Sequence, residues 1–185
     1  MKVTKTEIPG LLVIQPDVFN DSRGFFFESY NKKRCEELGI TDEFVQDNIS
    51  KSKKDTVRGI HYQVGEKAQG KLCQVIEGEA LDVAVDIRFN SPTFGKHFSL
   101  ILNSETKFQL WIPTGFAHGF SVLSDEAIFS YKCTNYYSKA HEKVILFNDP
   151  DLKIDWKVKK HIVSEKDLQA AKFKNIEKDF VFTKE

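Results

Sequence analysis

Short runs of alternating apolar and polar residues recur along the chain, and Gly, Pro, Asn or Asp separates them. This pattern is typical of a sandwich or barrel of β-strands. Most of the 16 phenylalanines lie in these runs, as expected where two sheets fill one core. We therefore predict a mostly β jelly roll. The predicted strands are LLVIQP, FFFESY, FVQDNIS, TVRGIHYQV, KLCQVI, LDVAVDIR, HFSLILN, FQLWIP, GFSVLS and AIFSYKCTNYY.

Two segments predict short helices at the edge of this β structure. NKKRCEELGI fits a helix that ends at Gly39, and SEKDLQAAKF begins with a capping Ser164 and continues in helix-forming residues. KLCQVI and LDVAVDIR, joined by EGE, predict a hairpin. Because no linker divides the chain, we predict a single domain over residues 1–185, with a C-terminal helix and tail from about 164 to 185.

The segment LDVAVDIR alternates strictly, with Leu81, Val83, Val85 and Ile87 on one face and Asp82, Ala84, Asp86 and Arg88 on the other. On an open sheet the polar face would meet water, which is the ordinary arrangement. In a barrel wide enough for a ligand, the same face would line the cavity. The pattern alone leaves both alternatives open.

The charge of the chain is balanced, with 27 Lys and Arg against 27 Asp and Glu. This balance argues against nucleic acid and anionic membranes as partners, so an anionic ligand would need a local cluster of cations. The N-terminal stretch lacks the pattern of a signal peptide, and no apolar run approaches the roughly 20 residues of a membrane span. We therefore expect a cytoplasmic protein whose Cys35, Cys73 and Cys133 are reduced thiols that fill the core.

The most specific short motif is P-x-G-x-x-H, from Pro113 to His118, which matches the second motif of cupin barrels. Metal-binding cupins combine it with an upstream H-x-H and a carboxylate. Here the upstream element is His61-Tyr62-Gln63, which lacks the second histidine. Two histidines alone are a poor site for a divalent ion, so we expect a cupin barrel without metal.

A metal-free barrel with His61, His118, Arg58, Lys71 and Tyr131 has the groups for proton transfer next to a carbonyl. Histidine is the usual base near neutral pH, lysine stabilises an enolate, and tyrosine can return a proton. Each residue alone has a structural interpretation, such as a core histidine or a solvated lysine. Their combination on strands of one barrel favours an enzyme that needs no cofactor.

The segment VRGIHYQ contains a geometric conflict between Arg58 and His61. Strict alternation along a strand sends these two side chains to opposite faces. A glycine inside a strand often marks a bulge, so Gly59 would return both side chains to one side. Alternatively, Arg58 reaches into the cavity from its rim.

Several longer segments resemble the dTDP-4-dehydrorhamnose 3,5-epimerase family over about residues 3 to 175. They are DSRGFFFESY, FVQDNIS, VRGIHYQ, QGKLCQVIEGEALDVAVDIR, SPTFG, WIPTGFAHGF, YKCTNYY, NDPDLKIDW and SEKD. The resemblance implies a cupin-type double-stranded β-helix with short flanking helices, which forms a homodimer by exchange of N-terminal strands. It also implies isomerisation of dTDP-4-dehydro-6-deoxyglucose to dTDP-4-dehydro-L-rhamnose without a cofactor.

The same resemblance assigns the catalytic residues. His61 would remove the protons at C3 and C5, and Asp167 would orient His61. Lys71 would stabilise the enolate at C4, and Tyr131 would deliver a proton from the opposite face. The remaining implied positions bind substrate: Arg23, Glu28, Gln46, Asp47, Asn48, Arg58, His118, Tyr137, Glu142 and Lys166. Asp82 would support these residues from behind, and Arg23 and Glu28 would act on the neighbouring subunit.

The sequence departs from the family pattern at Lys143 and Phe147, which lie close to Glu142. Three alternatives to double epimerisation stay open. An enzyme on the same fold would epimerise only C3, or move the ketone as a ketoisomerase, and a sugar-nucleotide-binding cupin would catalyse nothing. Tyr131 favours double epimerisation over the first two, because the C5 step needs an acid. His61, Asp167 and Tyr131 together argue against a protein that only binds.

Overall fold

The structure, a computed structural model, describes residues 1–183 and is mostly β. The strands are β1 (Lys2–Lys5), β2 (Leu12–Gln15), β3 (Val18–Asp21), β4 (Gly24–Phe27), β5 (Gln46–Lys53), β6 (Val57–Gln63), β7 (Lys71–Glu77), β8 (Glu79–Asp86), β9 (His97–Asn103), β10 (Gln109–Ile112), β11 (Phe116–Val122), β12 (Glu126–Cys133) and β13 (Glu142–Val144). The helices are α1 (Lys32–Glu37) and α2 (Glu165–Leu168), with 3-10 turns at Gly65–Lys67, Lys139–His141 and Phe173–Asn175. Each predicted strand segment contains a strand, which confirms the predicted fold class.

Two antiparallel sheets face each other and form the jelly roll. One has the order β1-β2-β10-β7-β12-β5, and the other has the order β13-β6-β11-β8-β9. A separate ribbon joins β3 to β4. Strands β7 and β8 lie in different sheets, so the predicted hairpin is wrong. The chain turns from one sheet to the other at Gly78, where a Cβ atom would lie 2.2 Å from the Glu126 carbonyl oxygen.

The core between the sheets is apolar at one end and becomes polar toward the other. Phe129 and Phe120 stack in this core with ring centroids 4.1 Å apart. Further along the same strands, the inward positions are Tyr131 on β12 and His118 on β11, which pack edge to face. The barrel therefore has a filled apolar half and a half that is lined by polar groups.

The C-terminal third covers the outer face of the five-stranded sheet. Leu81, Val83 and Val85 belong to the same buried cluster as Phe147 and Trp156 from this segment. Asp82 and Asp86 are therefore on the face toward the barrel interior, and both are fully buried. This settles the two alternatives for LDVAVDIR in favour of the barrel interior.

The two predicted helices form, although the second is shorter than expected. Asn31 caps α1 by accepting a hydrogen bond from the Arg34 backbone, and the chain leaves the helix through Gly39 with a positive φ of 84°. Ser164 caps α2 as predicted, but that helix ends at Leu168, and Ala171 forms a bridge to Ile145 instead of continuing it. Tertiary pairing outweighs the helix propensity of QAAK. Neither helix in residues 1–183 is long and apolar enough to cross a membrane.

Candidate active site

The polar end of the barrel contains a cavity of about 140 Å³. Its walls come from both sheets: β6 and β11 on one side, and β5, β7 and β12 on the other. The structure thus brings together all five residues that the sequence proposed for proton transfer. The lining residues are Ser50, Arg58, His61, Lys71, His118, Gly119, Phe120 and Tyr131.

A bulge on β6 places Arg58 and His61 in the same cavity. His61 pairs with His118 and Arg58 pairs with Phe120, so β6 has one residue more than β11 between these pairs. This register shift at Gly59 confirms the predicted bulge, and Arg58 lines the cavity although the residue stays exposed to solvent. Gly59 has a φ of 135°, and a Cβ atom there would lie 2.6 Å from the Gly119 Cα atom. Only glycine fits where β6 approaches β11 this closely.

His61 forms a close pair with Asp167, the third residue of α2. His61 Nε2 donates to Asp167 Oδ1 at 2.6 Å, and the Gly59 backbone N–H donates to Asp167 Oδ2 at 3.2 Å. Burial opposes ionisation of this carboxyl, but its bonds with His61 and Gly59 outweigh burial and lower the pKa of Asp167. A carboxylate that accepts from Nε2 leaves Nδ1 as the acceptor of the imidazole ring. The pair therefore supplies a base at the cavity.

Tyr131 and Lys71 lie across the cavity from His61 on neighbouring strands. The Lys71 Nζ atom is 5.7 Å from the centroid of the Tyr131 ring. Burial raises the pKa of Tyr131 to about 12, so its hydroxyl stays protonated and can donate a proton. The Lys71 ammonium group adds a positive charge that would face a negatively charged oxygen of a substrate. The cavity therefore offers a base, an acid and a cation.

His118 is fixed at the bottom of the cavity by Asp82. Its Nε2 atom donates to Asp82 Oδ1 at 2.6 Å and lies 3.7 Å from the Cys73 Sγ atom. Burial lowers the pKa of His118, although the Asp82 carboxylate opposes this shift. Asp82 thus contacts His118 without lining the cavity itself.

A second cavity of about 110 Å³ adjoins the first, because His61, Lys71 and Tyr131 line both. Tyr137 and Lys166 both donate to Glu142 Oε2 here, at 2.9 Å and 2.5 Å. These bonds outweigh burial and lower the pKa of Glu142. Gln46, Asn48, Tyr137 and Glu142 line this outer cavity, and Lys166 contacts it through Glu142.

Three predicted substrate-binding residues lie away from both cavities. Arg23 is at the end of the β3–β4 ribbon with 88% of its side chain exposed, and it pairs with Asp21. Glu28 accepts from Asn31 and pairs with Arg34. Asp47 is on the outer face of β5, where it binds Lys132 at 2.9 Å, because alternation turns it away from Gln46 and Asn48. Within one chain, these residues do not join the site.

Sequence reasoning missed other residues that line the cavities. Ser50 follows Gln46 and Asn48 on the inward face of β5, so the alternation of FVQDNIS contains the signal for it. Its buried hydroxyl has no hydrogen-bond partner within residues 1–183. Gln63 and Gln69 line the outer cavity and bond to the backbone on either side of Tyr137: Gln63 accepts from the Ser138 N–H, and Gln69 donates to the Asn135 carbonyl.

The two departures from the family pattern lie outside the cavities. Lys143 Nζ binds Asp179 at 2.7 Å and Glu177 at 2.9 Å, which fastens the C-terminal segment to β13. The Phe147 side chain is buried, and its carbonyl accepts a hydrogen bond from Trp156 Nε1 at 2.7 Å. Both residues therefore have structural roles, and Glu142 keeps its place in the site.

The fold and site define a cupin-type jelly roll with an acid–base set in the barrel. The family model described as dTDP-4-dehydrorhamnose 3,5-epimerase matches residues 5–175, and the chain belongs to this family. A dTDP-4-dehydrorhamnose 3,5-epimerase from Shigella flexneri is 56% identical over 174 residues, which are 94% of this chain and 96% of the relative.

Two solved structures are informative neighbours. One is a dTDP-6-deoxy-D-glucose-3,5-epimerase from Legionella pneumophila in complex with dTDP-4-keto-L-rhamnose. It has a TM-score of 0.95 and 49% identity, with 99% of each chain covered. The other is a 3′-monoepimerase from Streptomyces bikiniensis in complex with dTDP-quinovose. It has a TM-score of 0.86 and 28% identity, with 91% of this chain and 86% of that chain covered.

Proposed function

We propose that the protein epimerises dTDP-4-dehydro-6-deoxy-D-glucose at C3 and C5 and forms dTDP-4-dehydro-L-rhamnose. The observation that carries this proposal is the pair of His61 and Asp167 facing the same cavity as Tyr131 and Lys71. Membership of the family supports the choice of substrate. The reaction moves protons without a change in oxidation state, so no cofactor is required.

In the first step, His61 removes a proton from the carbon next to the C4 ketone. Nδ1 accepts this proton, and the imidazole becomes a cation. Asp167 stabilises that cation through its 2.6 Å bond to Nε2. The Gly59 N–H and the Ser164 cap fix Asp167 from two sides, so the ring keeps its orientation while its charge changes.

In the second step, the enolate is reprotonated from the opposite face. Lys71 stabilises the charge on the C4 oxygen, which is the type of interaction that contributes most in many enzymes. Tyr131 gives its hydroxyl proton to the carbon and completes the inversion. His61 then releases its proton to water, and Tyr131 takes one up. The same cycle at the second carbon gives the double epimer.

We place the sugar in the inner cavity and the nucleotide toward the outer cavity. Arg58 donates to Ser52 at 3.0 Å through Nε, which leaves its terminal nitrogens for a diphosphate. Tyr137 offers an aromatic ring near Glu142 for stacking on thymine. Gln46, Asn48, His118 and Lys166 complete the proposed contacts within one subunit.

We further propose a homodimer that exchanges N-terminal strands. The β3–β4 ribbon pairs only with itself within residues 1–183, and it exposes Phe19 and Phe26 by 64% and 69%. Large exposed aromatic residues on a ribbon favour docking on a second subunit. In such a dimer, Arg23 and Glu28 would complete the neighbour's site. Sedimentation analysis tests this: we expect a dimer, and a monomer at micromolar concentration would contradict it.

Residues 1–183 would form one domain of a cytoplasmic enzyme, and the last two residues of the predicted tail, 184 and 185, lie outside the described residues. The three free thiols suit a reducing compartment.

Proton NMR of the reaction in D2O tests the catalytic proposal. Incubation with dTDP-4-dehydro-6-deoxyglucose should place deuterium at both C3 and C5. Deuterium at C3 alone would support the single epimerase instead. No exchange at either carbon, by protein that still binds dTDP, would favour a protein that only binds.

A further inference from the structure

A cluster of three metal-ligand side chains lies directly behind the catalytic cavity. Cys73 on β7, Asp82 on β8 and His118 on β11 place one ligand atom each within 4.8 Å of one another. All three side chains are buried. Sequence analysis did not predict this cluster, because Cys73 belongs to neither histidine motif and its position in an apolar strand is typical of a core residue.

The distances within the cluster suit a tetrahedral ion. Zn–N and Zn–S bonds of about 2.0 and 2.3 Å give an N···S separation of about 3.5 Å at a tetrahedral angle. The His118 Nε2 atom lies 3.7 Å from the Cys73 Sγ atom. The 2.6 Å bond between His118 Nε2 and Asp82 Oδ1 would open, and the carboxylate would turn toward the ion.

Asp82 provides an independent sign of a missing partner. Its side chain is fully buried, and its Oδ2 atom accepts no hydrogen bond within residues 1–183. An unpaired carboxylate oxygen in a protein interior has a high desolvation cost, and such groups usually have a partner. A cation bound by this carboxylate would remove that cost.

We propose that Cys73, Asp82 and His118 bind Zn²⁺ or a similar borderline transition ion, with a cavity water as fourth ligand, and that this ion inhibits the enzyme. Thiolate, imidazole and carboxylate are the ligands that Zn²⁺ prefers, and three protein ligands plus water is a common arrangement. On binding, the Cys73 thiol loses its proton to solvent, and the proton on His118 Nε2 moves through solvent to Nδ1, so that Nε2 is free to bind the ion. The thiolate and the Asp82 carboxylate then balance the charge of the ion.

Inhibition follows from the position of His118. This residue lines the cavity with His61, Lys71 and Tyr131, so the ion would reach the cluster through the site that substrate must fill. A bound ion would tie up the His118 nitrogen that now donates to Asp82 and would add a cation near Lys71. The binding claim is independent of the proposed reaction, whereas the inhibition claim depends on it.

Cobalt spectroscopy tests the binding claim without an activity assay. Chelator-treated protein titrated with Co²⁺ should develop intense tetrahedral visible bands and a thiolate-to-cobalt charge-transfer band, which one equivalent of Zn²⁺ abolishes. Cys73→Ala should lose the charge-transfer band and bind Zn²⁺ at least about 100-fold more weakly, since outer-shell changes alone cost 10–100-fold. Cys35→Ala is the matched control, because Cys35 is also a buried thiol and lies on the inward face of α1, in a different core cluster.

The outcomes separate the two claims. Equal spectra in wild type and Cys73→Ala, or no charge-transfer band in wild type, would overturn the site. If Cys73→Ala does not fold, Asp82→Asn takes its place and should also weaken Zn²⁺ binding. Zn²⁺ should inhibit the wild type and Cys35→Ala at concentrations that leave Cys73→Ala unaffected. Tight binding without inhibition would overturn the inhibitory role alone.

Discussion

Replacing Asp167 by asparagine removes the charge that faces His61 and keeps the size of the side chain. The carboxylate now accepts from His61 Nε2 at 2.6 Å and from the Gly59 N–H at 3.2 Å. An amide has one acceptor oxygen, so one of these two donors would face an NH₂ group. Asp167→Asn therefore weakens the hydrogen bonding that orients His61, whichever way the amide group is turned.

The magnitude follows from the charge that develops during proton removal. A hydrogen bond to a charged group contributes about 1.5–3 kcal/mol, and this bond is strongest when His61 carries the abstracted proton. Since each 1.36 kcal/mol is tenfold in rate, kcat should fall by about 10- to 150-fold. The KM should change little, because Asp167 lines neither cavity.

Steady-state kinetics with dTDP-4-dehydro-6-deoxyglucose measure this effect. The matched control is Asp155→Asn, which makes the same chemical change at an exposed carboxylate paired with Lys157. The control should keep the wild-type kcat. A kcat for Asp167→Asn within about twofold of wild type, in folded protein, would refute the role of the pair.

Three further predictions concern the acid, the bulge and a buried ion pair. Tyr131→Phe should lower product formation by about 10²–10⁴-fold while deuterium still exchanges into substrate, because His61 still removes protons; loss of exchange as well would contradict separate acid and base roles. Gly59→Ala should lower the free energy of unfolding, measured in urea, by about 3 kcal/mol, because the added Cβ atom would clash with the Gly119 backbone. An unchanged free energy of unfolding would contradict the need for glycine at this position. Burial opposes ionisation of Asp86, but its bonds with Arg88, Ser91 and Thr93 outweigh burial and lower the pKa of this carboxyl. The ionised carboxylate therefore stabilises the fold at pH values above its unfolded pKa, near 3.8. This stability is lost as the pH falls through the lower pKa of the folded state. Acid titration of Asp86→Asn should accordingly show a shallower loss of stability below pH 4 than wild type, and identical acid profiles would contradict this assignment.

The alternation of residues predicted the strands because a barrel needs one apolar face on each strand. It did not predict how strands divide between sheets, since β7 and β8 are adjacent in sequence and yet belong to different sheets. Nor did it settle the environment of Asp82, because the covering segment from Phe147 to Trp156 lies far away in sequence.

The candidate site, like the fold, was predictable from the sequence only in part. VRGIHYQ indicated a bulge at Gly59, and the register of β6 against β11 confirms it. Asp167 came only from the family resemblance, since a capping motif carries no sign of a contact across 106 residues. The contact of Cys73 with His118 depends on the closing of the barrel, which local sequence does not encode.

In the proposed mechanism, His61 is the base for both carbons. The most direct measurement is deuterium incorporation from D2O into dTDP-4-dehydro-6-deoxyglucose by wild type, His61→Ala and His161→Ala. His161 is an exposed histidine outside both cavities, so its variant controls for the substitution itself. We expect deuterium at C3 and C5 with wild type and His161→Ala, and at neither carbon with folded His61→Ala. Deuterium at either carbon with His61→Ala, at a rate near that of wild type, would contradict it.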